Sequence, residues 1–194
     1  MQGKTILTLT LCAAIAAGCA TQTADSPAAT ETAWRAMRDG QFENALTLLE
    51  SRLLLAPRDG RAAFLRAVAL DRMGRSNAAA DAFAAYARAG GRQPELDFEW
   101  GMSLLHAGRP TEAAQRLRPY LDANPTSARA MLALGQAQLA LSRFDDAERL
   151  FRAAAADPAA RAPALLRLAA SQSGRGDNDA ARVTLDSLSR KDRS

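Results

Sequence analysis

The stretch Leu105-His106-Ala107-Gly108-Arg109-Pro110-Thr111-Glu112-Ala113-Ala114 reads as the end of one helix, a glycine turn and the start of the next helix. A glycine suits the positive φ that closes a helix. The same helix-turn-helix pattern recurs every 34 residues, with an alanine five residues after each turn residue. The turn residues are Gly40, Gly74, Gly108, Ser142 and Gly176, and the alanines are Ala45, Ala79, Ala113, Ala147 and Ala181. Self-similarity at this period predicts a stack of helical hairpins.

Five repeats result when the turn residue is numbered position 15 of a 34-residue frame. Their ranges are 26–59, 60–93, 94–127, 128–161 and 162–194. Each repeat reads as a helix A, a tight turn, a helix B and a short link. Ser26 as N-cap and Pro27 at the first helical position mark the start of the first helix. Pro57, Pro125 and Pro158 mark the ends of three of the B helices.

The composition fits close-packed helices and a solvated surface. Alanine dominates, together with leucine and arginine, and aromatic residues make up only 5%. The formal net charge is +4, but arginines alternate with acids, as in residues 143–149. Such interspersed charges are typical of solvated helix faces and disfavour a nucleic-acid stripe.

Catalytic residues are not indicated by any pattern in the chain. His106 is the one histidine, and a metal site needs several clustered ligands. Neither a P-loop nor a dinucleotide-type glycine motif occurs. The tripeptide Arg175-Gly176-Asp177 spells an adhesion motif, but it occupies the turn slot of the fifth repeat. We therefore expect no enzyme activity, no cofactor and no bound metal.

The N-terminus has the pattern of a secretory leader. Residues 5–17 are uncharged and largely apolar, too short for a membrane-spanning helix. The leader ends Ala16-Ala17-Gly18-Cys19, which resembles the lipobox of bacterial lipoproteins. The resemblance implies a signal peptide over 1–18 and a lipidated Cys19, followed by a tether over 19–25. Ala20 after the cysteine favours a periplasm-facing outer-membrane lipoprotein. The alternative is an ordinary cleaved leader in which Cys19 is incidental.

Residues 26–194 resemble the tetratricopeptide repeat. That family prefers a small residue at position 8, alanine at position 20 and an aromatic or aliphatic residue at position 24. Position 8 holds Ala33, Ala67, Gly101, Gly135 and Ala169, and position 24 holds Leu49, Phe83, Leu117, Phe151 and Leu185. The resemblance implies an all-α, right-handed superhelical solenoid of about five helix-turn-helix repeats. A single hairpin cannot bury its apolar face, so neighbours must stack.

The resemblance also implies a concave groove, lined by helix A positions 2, 5, 9, 12 and 13, that binds a partner protein. The predicted groove residues are Trp34, Met37, Arg38, Arg61, Phe64, Val68, Arg72, Phe98, Met102, Leu105, His106, Arg129, Leu132 and Gln136. The lysines and asparagines of the family's carboxylate clamp are missing from these positions. An apolar strip with an arginine edge suits a helix or an extended segment with hydrophobic anchors. The alternative is that these apolar residues pack between adjacent A helices as ordinary core.

Fold, size and leader together predict a non-enzymatic adaptor on the periplasmic side of the outer membrane. It is similar to the small repeat lipoproteins of pilus and secretion assembly, of the TadD or type IV pilotin kind. The expected partners are therefore a secretin, a pilus protein or another envelope-assembly component, with the membrane bound through the lipid. The alternative is a scaffold for cell-wall enzymes or for outer-membrane protein assembly.

The repeat frame predicts that Ala113→Arg or Ala147→Arg destabilises the protein by several kcal/mol. Either change overpacks the narrowest gap in a hairpin and buries a charge there. Thermal unfolding followed by circular dichroism measures the effect. A near-native melting temperature for either variant contradicts the frame.

Overall fold

The computed structural model of the protein describes residues 27–191, which form ten α-helices and no strand. The helices are α1 (Pro27–Arg38), α2 (Phe42–Leu55), α3 (Gly60–Arg72), α4 (Ser76–Arg88), α5 (Leu96–His106), α6 (Pro110–Ala123), α7 (Ala128–Ala140), α8 (Phe144–Ala154), α9 (Arg161–Arg175) and α10 (Asn178–Lys191). Odd-numbered helices are the A helices of the sequence frame and even-numbered ones are the B helices. The predicted all-α helical-repeat fold is confirmed. The predicted signal peptide, Cys19 with its tether, and the Ser26 cap lie outside the described residues.

The described residues divide into two compact units, with the boundary between Arg92 and Gln93. In the first unit, α1 to α4 contact one another in chain order, and α1 also contacts α3. In the second unit, α5 to α10 do the same, and each A helix contacts the A helix of the next repeat. Each unit therefore buries its apolar faces by stacking hairpins, as repeat proteins must.

The turn between the two helices of a hairpin is the same in all five repeats. Its residue at position 15 has a positive φ, from 72° to 91° at the four glycines and 57° at Ser142. In the fourth repeat the amide of Arg143 donates to the carbonyl of Gln138 at 2.9 Å, and Arg109 donates equivalently to Leu104 at 2.8 Å. These bonds satisfy the last carbonyls of helix A. Ser142 thus keeps the glycine geometry despite its side chain.

The core of each hairpin depends on a small residue at position 8 facing a large one at position 24. A Cβ placed on Gly135 would lie 2.6 Å from Cε1 of Phe151, and one on Gly101 would lie 2.6 Å from Cγ of Leu117. Phe151 and Leu117 are fully buried. The small residue therefore leaves room for the position 24 side chain, as well as for the fully buried alanine at position 20.

The fifth repeat differs from the other four at position 24. Its two helices end at Arg175 and Lys191. At position 24 of this repeat, Leu185 is 44% exposed, whereas its four counterparts are fully buried. In the fourth repeat, Phe151 lies in a buried cluster with Leu168 of the fifth repeat, which contributes to its burial.

The Ser142→Gly variant should be more stable than the native protein by about 0.5–1 kcal/mol. A left-handed conformation costs a residue with a Cβ roughly 1–2 kcal/mol, and glycine avoids that cost at a smaller entropic loss. Urea unfolding at constant slope measures the gain. The matched reverse change, Gly108→Ser, should lower stability by a similar amount. An unchanged or lower stability for Ser142→Gly contradicts this account of the turn.

Candidate partner-binding surface

In the first unit, the predicted groove residues separate into an accessible group and a buried group. Trp34 is 40% exposed on α1, and Arg38, Arg61 and Arg72 are also exposed. Met37 and Val68 are buried, which corrects their prediction as groove residues. These two side chains lie on the side of α1 and α3 that faces the neighbouring helices. They therefore belong to the core between hairpins.

Phe64 is half-buried and forms part of an aromatic cluster. Its ring centroid lies 5.6 Å from that of Phe83 in an edge-to-face arrangement and 5.8 Å from that of Tyr86. Such geometry is favourable for aromatic pairs. One part of the Phe64 side chain therefore packs inside its hairpin and another part is exposed on the surface of α3. Only the exposed part can contact a partner.

The arginine at position 2 of α3 is engaged by a carboxylate of the preceding A helix. Arg61 Nη2 lies 3.4 Å from Oε2 of Glu31, and Arg35 Nε lies 3.7 Å from Oε1 of the same carboxylate. Trp34 is one helical turn from Glu31 on α1. The indole is thus an exposed apolar group bordered by an ion pair between two repeats. Surface pairs of this kind contribute little stability, but they define the orientation of the side chains.

The same pairing recurs in the second unit between residues 30 positions apart. Arg129 on α7 places Nη2 3.5 Å from Oε1 of Glu99 on α5. In the repeat frame, both pairs join position 6 of one A helix to position 2 of the next. The sequence carries this signal as a glutamate followed 30 residues later by an arginine, and the groove prediction overlooked it.

Phe98 is buried, so its prediction as a groove anchor is wrong. The guanidinium of Arg129 lies 3.9 Å from its ring centroid on one side, and the Tyr120 ring lies at a centroid distance of 5.3 Å. A cation over an aromatic face is attractive. Arg129 therefore covers the phenylalanine that the sequence analysis assigned to the partner.

The accessible part of the second unit's predicted surface is more polar. His106 and Gln136 are exposed, whereas Met102 and Leu105 are half-buried. Leu132 is half-buried too, and it packs against buried residues of its own repeat and of the fifth repeat. The alternative of inter-repeat packing is therefore the better description of Leu132. Met102 and Leu105 remain candidates for partner contact.

The tripeptide 175–177 is occupied by contacts within the chain. Gly176 has a φ of 91° and caps α9. Arg175 Nη1 donates to Oδ1 of Asp145 at 2.8 Å, and Nη2 lies 3.2 Å from Oε1 of the buried Glu148. The hydrogen bond to Asp145 is the main cause that raises the pKa of Arg175 above its ordinary value, and the charge of Glu148 adds to it. The arginine and the glycine thus have structural roles in the fourth and fifth repeats.

Residues 27–191 contain no group of three or more His, Cys, Asp or Glu side chains placed to bind a metal ion. Among these same residues, no helix combines the length and apolar character needed to cross a membrane.

These features together define a helical-hairpin repeat protein. Its helices are paired through a turn residue in the left-handed conformation, its position 8 holds a small residue, and A helices of adjacent repeats contact one another within each unit. The family model described as tetratricopeptide repeat matches residues 30–94 and 98–164, and a second model with the same description matches residues 163–193. The chain belongs to the tetratricopeptide-repeat family. This is a protein-interaction scaffold fold.

Solved structures of the same fold resemble the chain at low sequence identity. MamA from Desulfovibrio magneticus RS-1, residues 41 to the end, has a TM-score of 0.78 at 20% identity and covers 87% of this chain and 97% of its own. YrrB, described as a TPR protein with an unusual peptide-binding site, has a TM-score of 0.71 at 20% identity, covering 84% of each chain. No curated protein sequence matches the chain. At this identity, the two structures establish the fold alone.

Exposure of Trp34 can be measured separately from Trp100, the second of the two tryptophans. The Trp100→Phe variant reports Trp34, and the Trp34→Phe variant reports Trp100, which is only 9% exposed. We expect Trp100→Phe to show red-shifted emission that acrylamide quenches strongly, whereas Trp34→Phe shows blue-shifted, protected emission. Circular dichroism verifies that both variants are folded. A fully blue-shifted Trp34 excludes it as an accessible anchor.

Proposed function

We propose that the protein is a non-enzymatic adaptor that binds a segment of a partner protein on the A-helix surface around Trp34. The observation that carries this proposal is the 40% exposure of the Trp34 indole on the first helix. A tryptophan combines a large apolar area with a hydrogen-bond donor, and such residues dominate the energy of many interfaces.

The charges around Trp34 support a partner with an apolar anchor and some acidic character. Arg38 and Arg61 are exposed near the indole, and the charge of Arg61 is shared with Glu31. Arginine fits planar carboxylates by forming two parallel hydrogen bonds. YrrB provides a precedent within the same fold, because its peptide-binding site is described as unusual. A departure from the family's carboxylate clamp is thus compatible with peptide binding.

The leader supports attachment to the outer membrane through acylated Cys19. Seven residues lie between Cys19 and Pro27, where α1 begins, and the chain from one to the other spans at most roughly 25–30 Å. Lipidation would therefore hold the Trp34 surface close to the bilayer. A partner emerging from the outer membrane would meet this surface first.

Pilus or secretion-system assembly is the proposed pathway, in the manner of the TadD or type IV pilotin lipoproteins. It rests on the combination of a short leader, a lipobox and a small repeat domain. The alternative is a scaffold for cell-wall enzymes or for outer-membrane protein assembly, which uses the same architecture with another partner.

A photo-crosslinking amino acid at position 34, in cells that make the full chain, tests both the surface and the pathway. We expect covalent capture of a secretin or pilus component from the outer-membrane fraction. The matched control places the same probe at Arg118, an exposed residue of α6. Capture of a peptidoglycan enzyme supports the alternative. Equal capture from positions 34 and 118, or none from position 34, contradicts the proposed surface.

The anchor is tested by the Cys19→Ser variant. We expect it to leave the outer-membrane fraction, while mass spectrometry of the native protein finds the acyl chains on Cys19. An unmodified Cys19 in the mature protein, or a leader cut elsewhere, contradicts the membrane part of the proposal and leaves the Trp34 surface to be judged by crosslinking.

A further inference from the structure

A pocket of about 940 Å³ opens in the first unit beside the C-terminal part of α4. It lies between the end of α2 with its following link, one face of α3, and the last turns of α4. Small apolar residues, one tyrosine ring and three arginines line it. The lining residues that matter are Ala63, Ala82, Tyr86, Arg58, Arg66 and Arg92. None of them belongs to the A-helix surface around Trp34, so the site is independent of the function proposed above.

At two positions beside the pocket, the second repeat has a small or charged residue where the fourth and fifth repeats have large apolar ones. Position 4 of the frame is Ala63 here, whereas Met131 and Leu165 occupy it in the fourth and fifth repeats and pack against buried clusters. Position 7 is Arg66 here, whereas the corresponding Leu134 is fully buried. The space that these side chains fill in the fourth and fifth repeats is thus open beside α3.

The inner wall of the pocket is rigid. Tyr86 is only 7% exposed and packs against Phe64 on its far side. On its near side, a Cβ at position 91 would lie 2.2 Å from Cζ of Tyr86, so only glycine lets the link lie against the ring. A preformed wall of this kind lowers the entropic cost of binding.

The charge of the lining is positive and largely uncompensated. Asp59 is the one acidic lining residue, and it accepts hydrogen bonds from Nε of Arg52 at 2.8 Å and from the amide of Ala62 at 3.0 Å. Burial acts to raise the pKa of Asp59, but these hydrogen bonds outweigh it and hold the pKa below its ordinary value. Arg58 and Arg92 form no hydrogen bond or ion pair within residues 27–191 through their side chains.

The guanidinium of Arg66 has one acidic neighbour, because its Nε lies 3.4 Å from Oε1 of the exposed Glu50. Three guanidinium groups therefore surround an apolar depression whose single carboxylate already has its partners. A ligand that complements this lining carries an apolar group for the alanines and at least two negative charges for Arg58 and Arg92.

We propose that this pocket binds an acidic peptide segment, with one aliphatic side chain against Ala63 and Ala82 and flanking carboxylates on Arg58 and Arg92. A free phosphate would leave the apolar lining unused. A nucleobase would need an open ring face for stacking, and the Tyr86 ring is buried. A protein segment supplies both kinds of group, and it is the kind of ligand that this scaffold fold takes.

Fluorescence anisotropy with a defined probe tests the site on the purified full chain in detergent. The probe is a fluorescein-labelled heptapeptide with a central leucine flanked by three glutamates on each side. One comparison peptide has glycine at the centre, and another has glutamines in place of glutamates. We expect saturable binding of the first peptide and at least about tenfold weaker binding of both others.

Three variants locate the binding. Ala63→Leu fills the pocket with the residue that the fifth repeat uses at the same position, and we expect at least about tenfold weaker binding with no fall in melting temperature. The double change Arg58→Ala with Arg92→Ala should weaken binding to a similar extent. Arg88→Ala removes an exposed arginine of α4 outside the lining and should leave affinity within about twofold.

Several results would overturn the proposal. Equal binding of the leucine and glycine peptides, or complete displacement by inorganic phosphate at equimolar charge, indicates a simple anion site. An Arg88→Ala effect as large as the double variant indicates non-specific attraction. If Ala63→Leu fails to fold, the double variant still decides, because Arg58 and Arg92 are exposed. Unchanged binding by Trp34→Ala shows that this site and the Trp34 surface are separate.

Discussion

The fit between a small residue on helix A and a large one on helix B is the contact on which the rest of the structure depends. At Gly135 there is no space for a Cβ beside the buried Phe151 ring, and Gly101 meets Leu117 in the same way. Interiors are packed as closely as organic crystals, so this contact determines the distance between the two helices. The left-handed turn at position 15 follows from it, because helix A must end where helix B can return along it. Within each of the two compact units, the hairpins then stack on one another.

The fold could be predicted from the sequence because stacked hairpins place the same requirements on every repeat. Glycine at the turns, alanine at position 20 and the alternation of Leu49, Phe83, Leu117 and Phe151 at position 24 are local requirements repeated in every hairpin. Even Ser142, which lacks the glycine, follows the frame with a φ of 57°. Leu185 at the same position of the fifth repeat is 44% exposed, whereas Phe151 of the fourth repeat lies in a buried cluster with Leu168 of the fifth.

The candidate surface was less predictable, because it depends on how deeply neighbouring A helices cover one another. Met37, Val68 and Phe98 occupy groove positions in the frame, yet adjacent helices bury them. In the case of Phe98, a guanidinium covers the ring as well. A single repeat in isolation cannot reveal this, since burial at these positions depends on side chains 30 or more residues away. Trp34, at a groove position of the first described helix, is 40% exposed, as the sequence predicted for an accessible anchor.

The arginines show how such a surface becomes selective. The chain has 25 basic residues, of which only Lys4 and Lys191 are lysines. Several arginines are held by acids of neighbouring helices, as in Arg61 with Glu31, Arg129 with Glu99 and Arg175 with Asp145. When an arginine is paired in this way, its guanidinium N–H donors are already oriented towards the acid. A ligand must then compete with that acid for the same donors. Arg58 and Arg92 have no such acid among residues 27–191 and lie beside an apolar depression. The pairing pattern, and not the total charge, therefore determines where an acidic partner is attracted most strongly.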